Sequence, residues 1–340
     1  MTREGAPRST IRDMGAPQRE LLVGIDLGGT NMTVGVLDAQ GTLLGKAKRK
    51  TKARLGRDAV VARIAECVDR ACADAGVDRG RVRAAGIGAP GPVDVERGTV
   101  IKSGNLGWTD EPLRDLMASA LGVPVALDND VNVAAFGEVT LGAARGHRDA
   151  IAVWVGTGVG GALILGGSIF TGGFCTAGEI GYTVVDPAGG PGSRTLEEHA
   201  SRSAMAIAIR RLLPSYPDSA LHELLKDEDP ADPVVSSVIA KAYRRGDALT
   251  RSVVHHAADT LGLSIANWIT MLSIDSVILG GGVVEALGKP FVSRIRRRFE
   301  QWVFPARCRR CDIVAAELGD LAGVYGAAML ARRQVTGDRP

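Results

Sequence analysis

At 340 residues the chain is long enough for two domains of ordinary size and a sizeable core. Its 45% hydrophobic and 23% charged content is that of a soluble globular protein, and a net charge of +3 is too small to argue for a nucleic-acid or membrane-surface partner. Five cysteines, an odd number, point to free thiols in a reducing, cytoplasmic compartment rather than to a disulfide framework. No apolar run is long and glycine-poor enough to span a bilayer.

Residues 1–20 are polar, with Arg, Gly and Pro but no apolar centre, and read as a disordered extension rather than a signal peptide. The apolar Leu21-Leu22-Val23 then leads into Gly24-Ile25-Asp26-Leu27-Gly28-Gly29-Thr30-Asn31, and the alternation Met32-Thr33-Val34-Gly35-Val36-Leu37 follows at once. This spacing predicts a hairpin turning at Gly28-Gly29. Glycines there let backbone N–H groups approach a phosphate, Thr30 or Asn31 can add a hydrogen bond, and Asp26 is placed to hold a metal-bound water. Taken alone, the stretch fits an ordinary Gly-Gly hairpin with a solvated aspartate at least as well. Further on, the pattern predicts a strand over 42–47, a helix over 57–75 and a strand over 82–87. That strand ends in the rigid loop Gly88-Ala89-Pro90-Gly91-Pro92-Val93-Asp94. A helix over 111–121 and a strand over 123–127 precede Asp128-Asn129-Asp130, which opens a helix running to about 141.

A second set of elements begins at Ala150: a strand over 151–155, the turn Gly156-Thr157-Gly158-Val159-Gly160-Gly161, and a returning strand over 162–165. The strand–glycine turn–strand plan of the opening hairpin is repeated, as in two diverged copies of one unit. Residues 172–200 are glycine-rich and predict ligand loops. Helices are expected over 196–213, 234–245 and 248–272, with a surface connection over 214–233. A buried strand over 276–279 runs into Gly280-Gly281-Gly282, before a helix near 286–301, a strand near 312–316 and a final helix near 321–333. Alternating strands and helices with a hairpin opening each half predict two α/β domains with mixed sheets and a cleft between them. We divide the chain into the extension 1–20, a first domain over 21–135 completed by 321–340, and a second over 136–320.

Glycine turns thus stand beside buried strands at 26–31, 156–161 and 280–282, with Asp130 after a strand at the junction of the halves. Two hairpin turns can grip a polyphosphate from both sides through backbone N–H groups. The third, before a helix, offers a flat floor for a nucleoside and the positive end of that helix. No Gly-x-x-x-x-Gly-Lys-Ser/Thr loop occurs, and 156–161 matches a dinucleotide fingerprint in letters only, because β-rich residues follow it.

In order along 21–333 stand Asp26-Leu27-Gly28-Gly29-Thr30-Asn31, Ala89-Pro90-Gly91-Pro92-Val93-Asp94, Asn105-Leu106-Gly107-Trp108 and Asn129-Asp130-Val131-Asn132. The run 156–161, Gly178-Glu179-Ile180-Gly181 and Leu279-Gly280-Gly281-Gly282 follow. This set resembles the sugar-kinase, heat-shock and actin clan of ribonuclease H-like ATP-binding folds, and within it the ROK family of bacterial sugar kinases. The resemblance implies a two-domain, actin-like α/β fold, a hexose substrate, ATP and Mg²⁺ as cofactors, and a homodimer or homotetramer. It implies Asp130 as general base, since a carboxylate near a sugar hydroxyl can take its proton as the oxygen attacks phosphorus. The other reading of Asp130 is a helix N-cap. Asp26 is the implied Mg²⁺ partner, through water. Asn105 and Asn129 are implied to bond sugar hydroxyls, and Glu179 and Glu197 to grip the far side of the ring. The nucleotide is implied to lie on Gly28, Gly29, Thr30 and Asn31, on Gly156, Thr157, Gly158 and Gly160, and on Gly280, Gly281 and Gly282.

The match has gaps. Relatives of the glucokinase type carry a zinc site made of a His after Gly-Glu-Ile-Gly and three Cys downstream. Here the His position is Tyr182 and the Cys positions fall near Ala188, Gly190 and Thr195, so no zinc is expected. A phenol can still hydrogen-bond a hydroxyl, but its length changes the pocket and leaves the hexose open. Cys308-Arg309-Arg310-Cys311 lacks further ligands and reads as two incidental thiols. Trp108 reads as a packing anchor, His255 and His256 as structural, and His199 as close enough to Glu197 to approach a sugar. The expected activity is phosphorylation of glucose to glucose 6-phosphate. Alternatives are a kinase for N-acetylmannosamine, allose or fructose, or a sugar sensor without catalysis. A DNA-binding repressor of the same family is disfavoured, because only about 20 polar residues precede the first strand.

Overall fold

The computed structural model describes residues 20–229 and 232–337, so the expected extension lies outside the described residues except for Glu20. The first half comprises β1 (Leu21–Leu27), β2 (Asn31–Asp38), β3 (Leu43–Lys50), α1 (Arg57–Asp74), β4 (Val82–Ala89), β5 (Val93–Asp94), β6 (Thr99–Ser103), β7 (Trp108–Glu111), α2 (Leu113–Leu121), β8 (Val125–Asn129) and α3 (Asp130–Thr140). The second comprises β9 (Ala150–Val155), β10 (Val159–Leu165), β11 (Ser168–Ile169), α4 (Leu196–Ala200), α5 (Arg202–Leu212), α6 (Leu221–Leu224), α7 (Ser236–Arg244), α8 (Ala248–Leu272), β12 (Ser276–Gly280), α9 (Gly282–Leu287), α10 (Lys289–Trp302) and β13 (Asp312–Ala315), followed by α11 (Ala322–Thr336).

The strands build two five-stranded sheets of one plan, β3-β2-β1-β4-β8 and β11-β10-β9-β12-β13. In each, three antiparallel strands come first and two parallel strands complete the sheet. The near-continuous apolar runs of β1 and β9 fit central strands covered on both faces. Helices α1 and α2 cover one face of the first sheet, while α3 and α11 lie between the sheets. One buried cluster joins Leu22 and Ala84 of the first sheet, Phe136 of α3, Ala328 of α11, and Ala152 and Ile278 of the second sheet. Glycine permits this layering: a Cβ on Gly24 or Gly86 would overlap carbonyl oxygens of α11, and one on Gly326 would overlap the Val133 carbonyl of α3. The residue 135/136 boundary falls inside α3, which is continuous.

Several local expectations need correction. The segment expected as a rigid loop and its continuation form a third sheet, β5-β6-β7. The helix expected over 196–213 breaks at Ser201, whose extended backbone lets its hydroxyl accept from Ala204 N at 3.0 Å and start α5. The helix expected near 286 begins at Gly282 and is interrupted at Gly288, with φ 63°. The second glycine turn is shorter than expected, because β10 already includes Gly160 and Gly161.

Candidate active site

The first hairpin turn closes with Gly28 N–H donating to Asn31 O at 2.9 Å. Thr51 braces it, its hydroxyl donating to Gly28 O at 2.6 Å and its N–H to Thr30 O at 2.8 Å. Gly29 lies against the β6–β7 connection: a Cβ there would come within 2.7 Å of Asn105 Cβ. Two sequence motifs, far apart in the chain, therefore meet. Asp26, at the end of β1, lines a cavity of about 610 Å³ with Asn31, Lys48 and Asp320. Burial, then the charge of Asp320, push its carboxyl up to about 6 against the pull of Lys48.

Asp130 opens α3, but the cap is Asn129. The Asn129 side-chain oxygen accepts from Val131 N at 2.9 Å and Asn132 N at 3.1 Å. Its Nδ2 donates to Gly91 O at 3.0 Å and to Asp130 Oδ1 at 2.9 Å. Both amide protons are committed, so in this conformation Asn129 aims Asp130 and offers a sugar no free donor. Val131 N–H also donates to Asp130 Oδ1 at 2.9 Å. Burial, then the charge of Asp26, push the Asp130 carboxyl up to about 7. Asp128, buried beneath, accepts from Asn129 N and Asn132 Nδ2, both at 2.7 Å, and is itself pushed up to about 6 by burial.

Across the cleft, β10 touches the start of α3: a Cβ on Gly160 would meet Val131 Cγ2 at 3.0 Å. The turn between β9 and β10 closes with Gly156 N donating to Gly158 O at 2.9 Å. Glu197, on α4, accepts from Val159 N at 2.8 Å, and a Cβ on Gly158 would overlap its carboxylate. Burial, then the charge of Glu197, raise the Glu179 carboxyl above its ordinary value, so these two glutamates do come together. Gly280 and Gly281 press on β9, a Cβ on Gly281 coming within 2.6 Å of Val155 O, which sets Gly280, Gly281 and Gly282 beside the second turn.

Tyr182 closes a short 3₁₀ turn with its side chain 70% exposed. Both ring nitrogens of His199 are engaged: its Nε2 meets Ser193 O at 3.0 Å and its Nδ1 meets His256 Nε2 at 3.0 Å. That pair ties the 186–195 loop to α8, and Arg194 Nε adds a bond to Gly189 O at 2.6 Å. Among the described residues no group of three His, Cys, Asp or Glu is arranged to hold a metal ion. Trp108 is buried in the first core. Sequence reasoning missed Lys48, Asp320 and Arg202, the last donating to Thr157 Oγ1 at 2.7 Å. Lys48 was within reach: Asp26 pairs with Thr33, and Thr33 with Lys48, in the hairpin register. Arg202 and Asp320 carry no motif. Among the described residues no helix is long and apolar enough to cross a membrane.

Paired five-stranded sheets of this plan, with two helices between them, define an actin-like ATPase fold. The ROK family profile matches residues 22–334, and the chain belongs to that family. The glucokinase of Thermotoga maritima is 33% identical over 322 residues, covering 93% of this chain and 98% of that protein. A ROK family glucokinase from Streptomyces griseus, solved with glucose and AMPPNP, superposes with a TM-score of 0.78 at 35% identity, covering 92% of this chain and 99% of that one. A ROK hexokinase from Thermus thermophilus gives a TM-score of 0.78 at 30% identity, covering 94% and 100%.

Proposed function

We propose that this sugar kinase transfers the γ-phosphoryl group of ATP to a hexose hydroxyl, converting glucose to glucose 6-phosphate. The observation that carries the reading is Asp130, at the start of α3, a carboxyl pushed up to about 7 by burial and held by the Asn129 amide at 2.9 Å. Such a group accepts a hydroxyl proton near neutral pH as the oxygen attacks phosphorus. Phosphoryl transfer otherwise needs positioning and charge neutralisation. The turns at Gly28–Asn31 and Gly156–Gly158 offer backbone N–H groups to the phosphates, with Lys48 and Arg202 adding positive charge. Burial and the nearby charge of Asp320 make ionised Asp26 costly in one cavity, a donor set that a divalent cation relieves. Mg²⁺, when bound, supplies neutralisation of the triphosphate; Asp26, through water, and Asp320 are the residues that would hold it.

Asn105, Glu179, Glu197 and Tyr182 form the sugar side of the proposal. The proposed domains, 21–135 with α11 against 136–320, meet across α3, and closure about that seam would exclude water from the phosphoryl group. The +3 net charge and the five free cysteines support a cytoplasmic enzyme working on small molecules; a homodimer or homotetramer is what the family resemblance suggests. One observation supports a second reading within the class: Tyr182, exposed at the sugar side, favours a hexose other than glucose, such as N-acetylmannosamine, allose or fructose. Measuring ADP release with each of these sugars decides it. We expect kcat/KM for glucose to exceed the others at least tenfold, and a higher value for any of the three selects the second reading.

A further inference from the structure

Glu138 lies on α3, the same 11-residue helix that begins with Asp130, and is fully buried. Its hydrogen-bond partners among the described residues are all backbone. It accepts from Ala143 N at 2.9 Å, from Glu317 N at 3.1 Å to each oxygen, and from Leu318 N at 2.8 Å. The chain is shaped around it as well, since a Cβ on Gly142 would overlap Glu138 Oε2. A carboxylate away from water persists only where charge-assisted hydrogen bonds replace its hydration, so this one strongly favours the geometry that supplies them.

The segment it holds is the crossing from the second sheet to the first. After β13, Ala316 N still bonds Leu279 O of β12 at 2.8 Å; by Ala322 the chain has entered α11. Between them Leu318 and Asp320 line the Asp26 cavity. One helix therefore carries Asp130 at its start and, at its other end, the group that fixes the strand-to-helix crossing bearing Asp320. We propose that Glu138 is a positioning residue: it clamps this crossing onto α3 and so fixes the Asp26–Asp320 side of the cleft relative to Asp130. The inference rests on the kinase reading above. Phosphoryl transfer is sensitive to displacements of about 1 Å between nucleophile and phosphorus, so a slack clamp acts on kcat more than on sugar binding.

Two variants and one measurement on the unaltered protein test this. Glu138→Asp keeps the charge but is one methylene short of spanning both loops. Glu138→Gln keeps the length and one acceptor oxygen. With folding checked by circular dichroism, we expect kcat per folded molecule to fall at least tenfold in Glu138→Asp, less in Glu138→Gln, and KM for glucose to stay within threefold. A melting temperature that drops while kcat per folded molecule stays within twofold overturns the proposal. Whether or not the variants fold, amide hydrogen exchange of the unaltered protein decides: Glu317 and Leu318 should exchange slowly and slow at least fivefold more when glucose and AMPPNP are added. Exchange as fast as at exposed Gly190, or protection indifferent to the two ligands, overturns it. Turnover by the unaltered enzyme is the control, because its loss would contradict the kinase reading rather than the clamp.

Discussion

Burial and the charge of Asp26 hold the Asp130 carboxyl near 7, and catalysis and stability feel this in opposite directions. As a base, Asp130 works only when ionised, so kcat/KM for the sugar should rise with pH through an apparent pKa near 7 and flatten above it. A steady-state pH profile checks this. For stability, an unfolded aspartate releases its proton near 4, whereas the folded one keeps it up to about 7. Between those values the folded state binds more protons, so this group's contribution falls as pH rises and is most unfavourable above 7. Replacing Asp130 by Asn should therefore stabilise the protein at pH 8 by roughly 1–4 kcal/mol and change little at pH 4. Urea titrations at the two pH values measure it. At this scale most of the candidate site was legible in the sequence, because Asp26, Asp130 and the glycine turns are local patterns. Asn129 was legible as a site residue but not as the cap that aims Asp130, a role that depends on Gly91 being folded against it.

Elements were legible where one periodicity persisted. Helix α8 and the central strands match their expected positions because each is a long apolar pattern with clear ends. Strands β5, β6 and β7 are only two, five and four residues long and alternate with proline and glycine turns, leaving no period to detect. The break at Ser201 was hidden because apolar spacing continues across it, and only the capping geometry reveals two helices. Helix α11 was expected as an element returning to the first domain, but the glycines on its partners that seat it are not paired by any sequence pattern. Gly86→Ala should be costly for that reason: its methyl group would overlap the Ala327 carbonyl, and backbone cannot yield as a side chain tip would. We expect destabilisation of about 1–3 kcal/mol by denaturant titration, with Ala at the open position Gly104 as a neutral control.

For the molecule as a whole, the duplicated sheets bring together residues far apart in the chain: Asp26 and Asp320 line one cavity, Asp130 feels the charge of Asp26, and Glu179 that of Glu197. The loop over 186–195, without cysteine, is tied down by the His199–His256 pair and by backbone hydrogen bonds, so its shape was not readable from ligand spacing. The central claim is that Asp130 takes the proton of a sugar hydroxyl during phosphoryl transfer. Its most direct test compares ADP release and calorimetric glucose binding in the unaltered enzyme and Asp130→Asn. The account predicts a loss of about 10²–10⁴ in kcat with the glucose dissociation constant changed less than tenfold. Turnover within tenfold of the unaltered enzyme would contradict it.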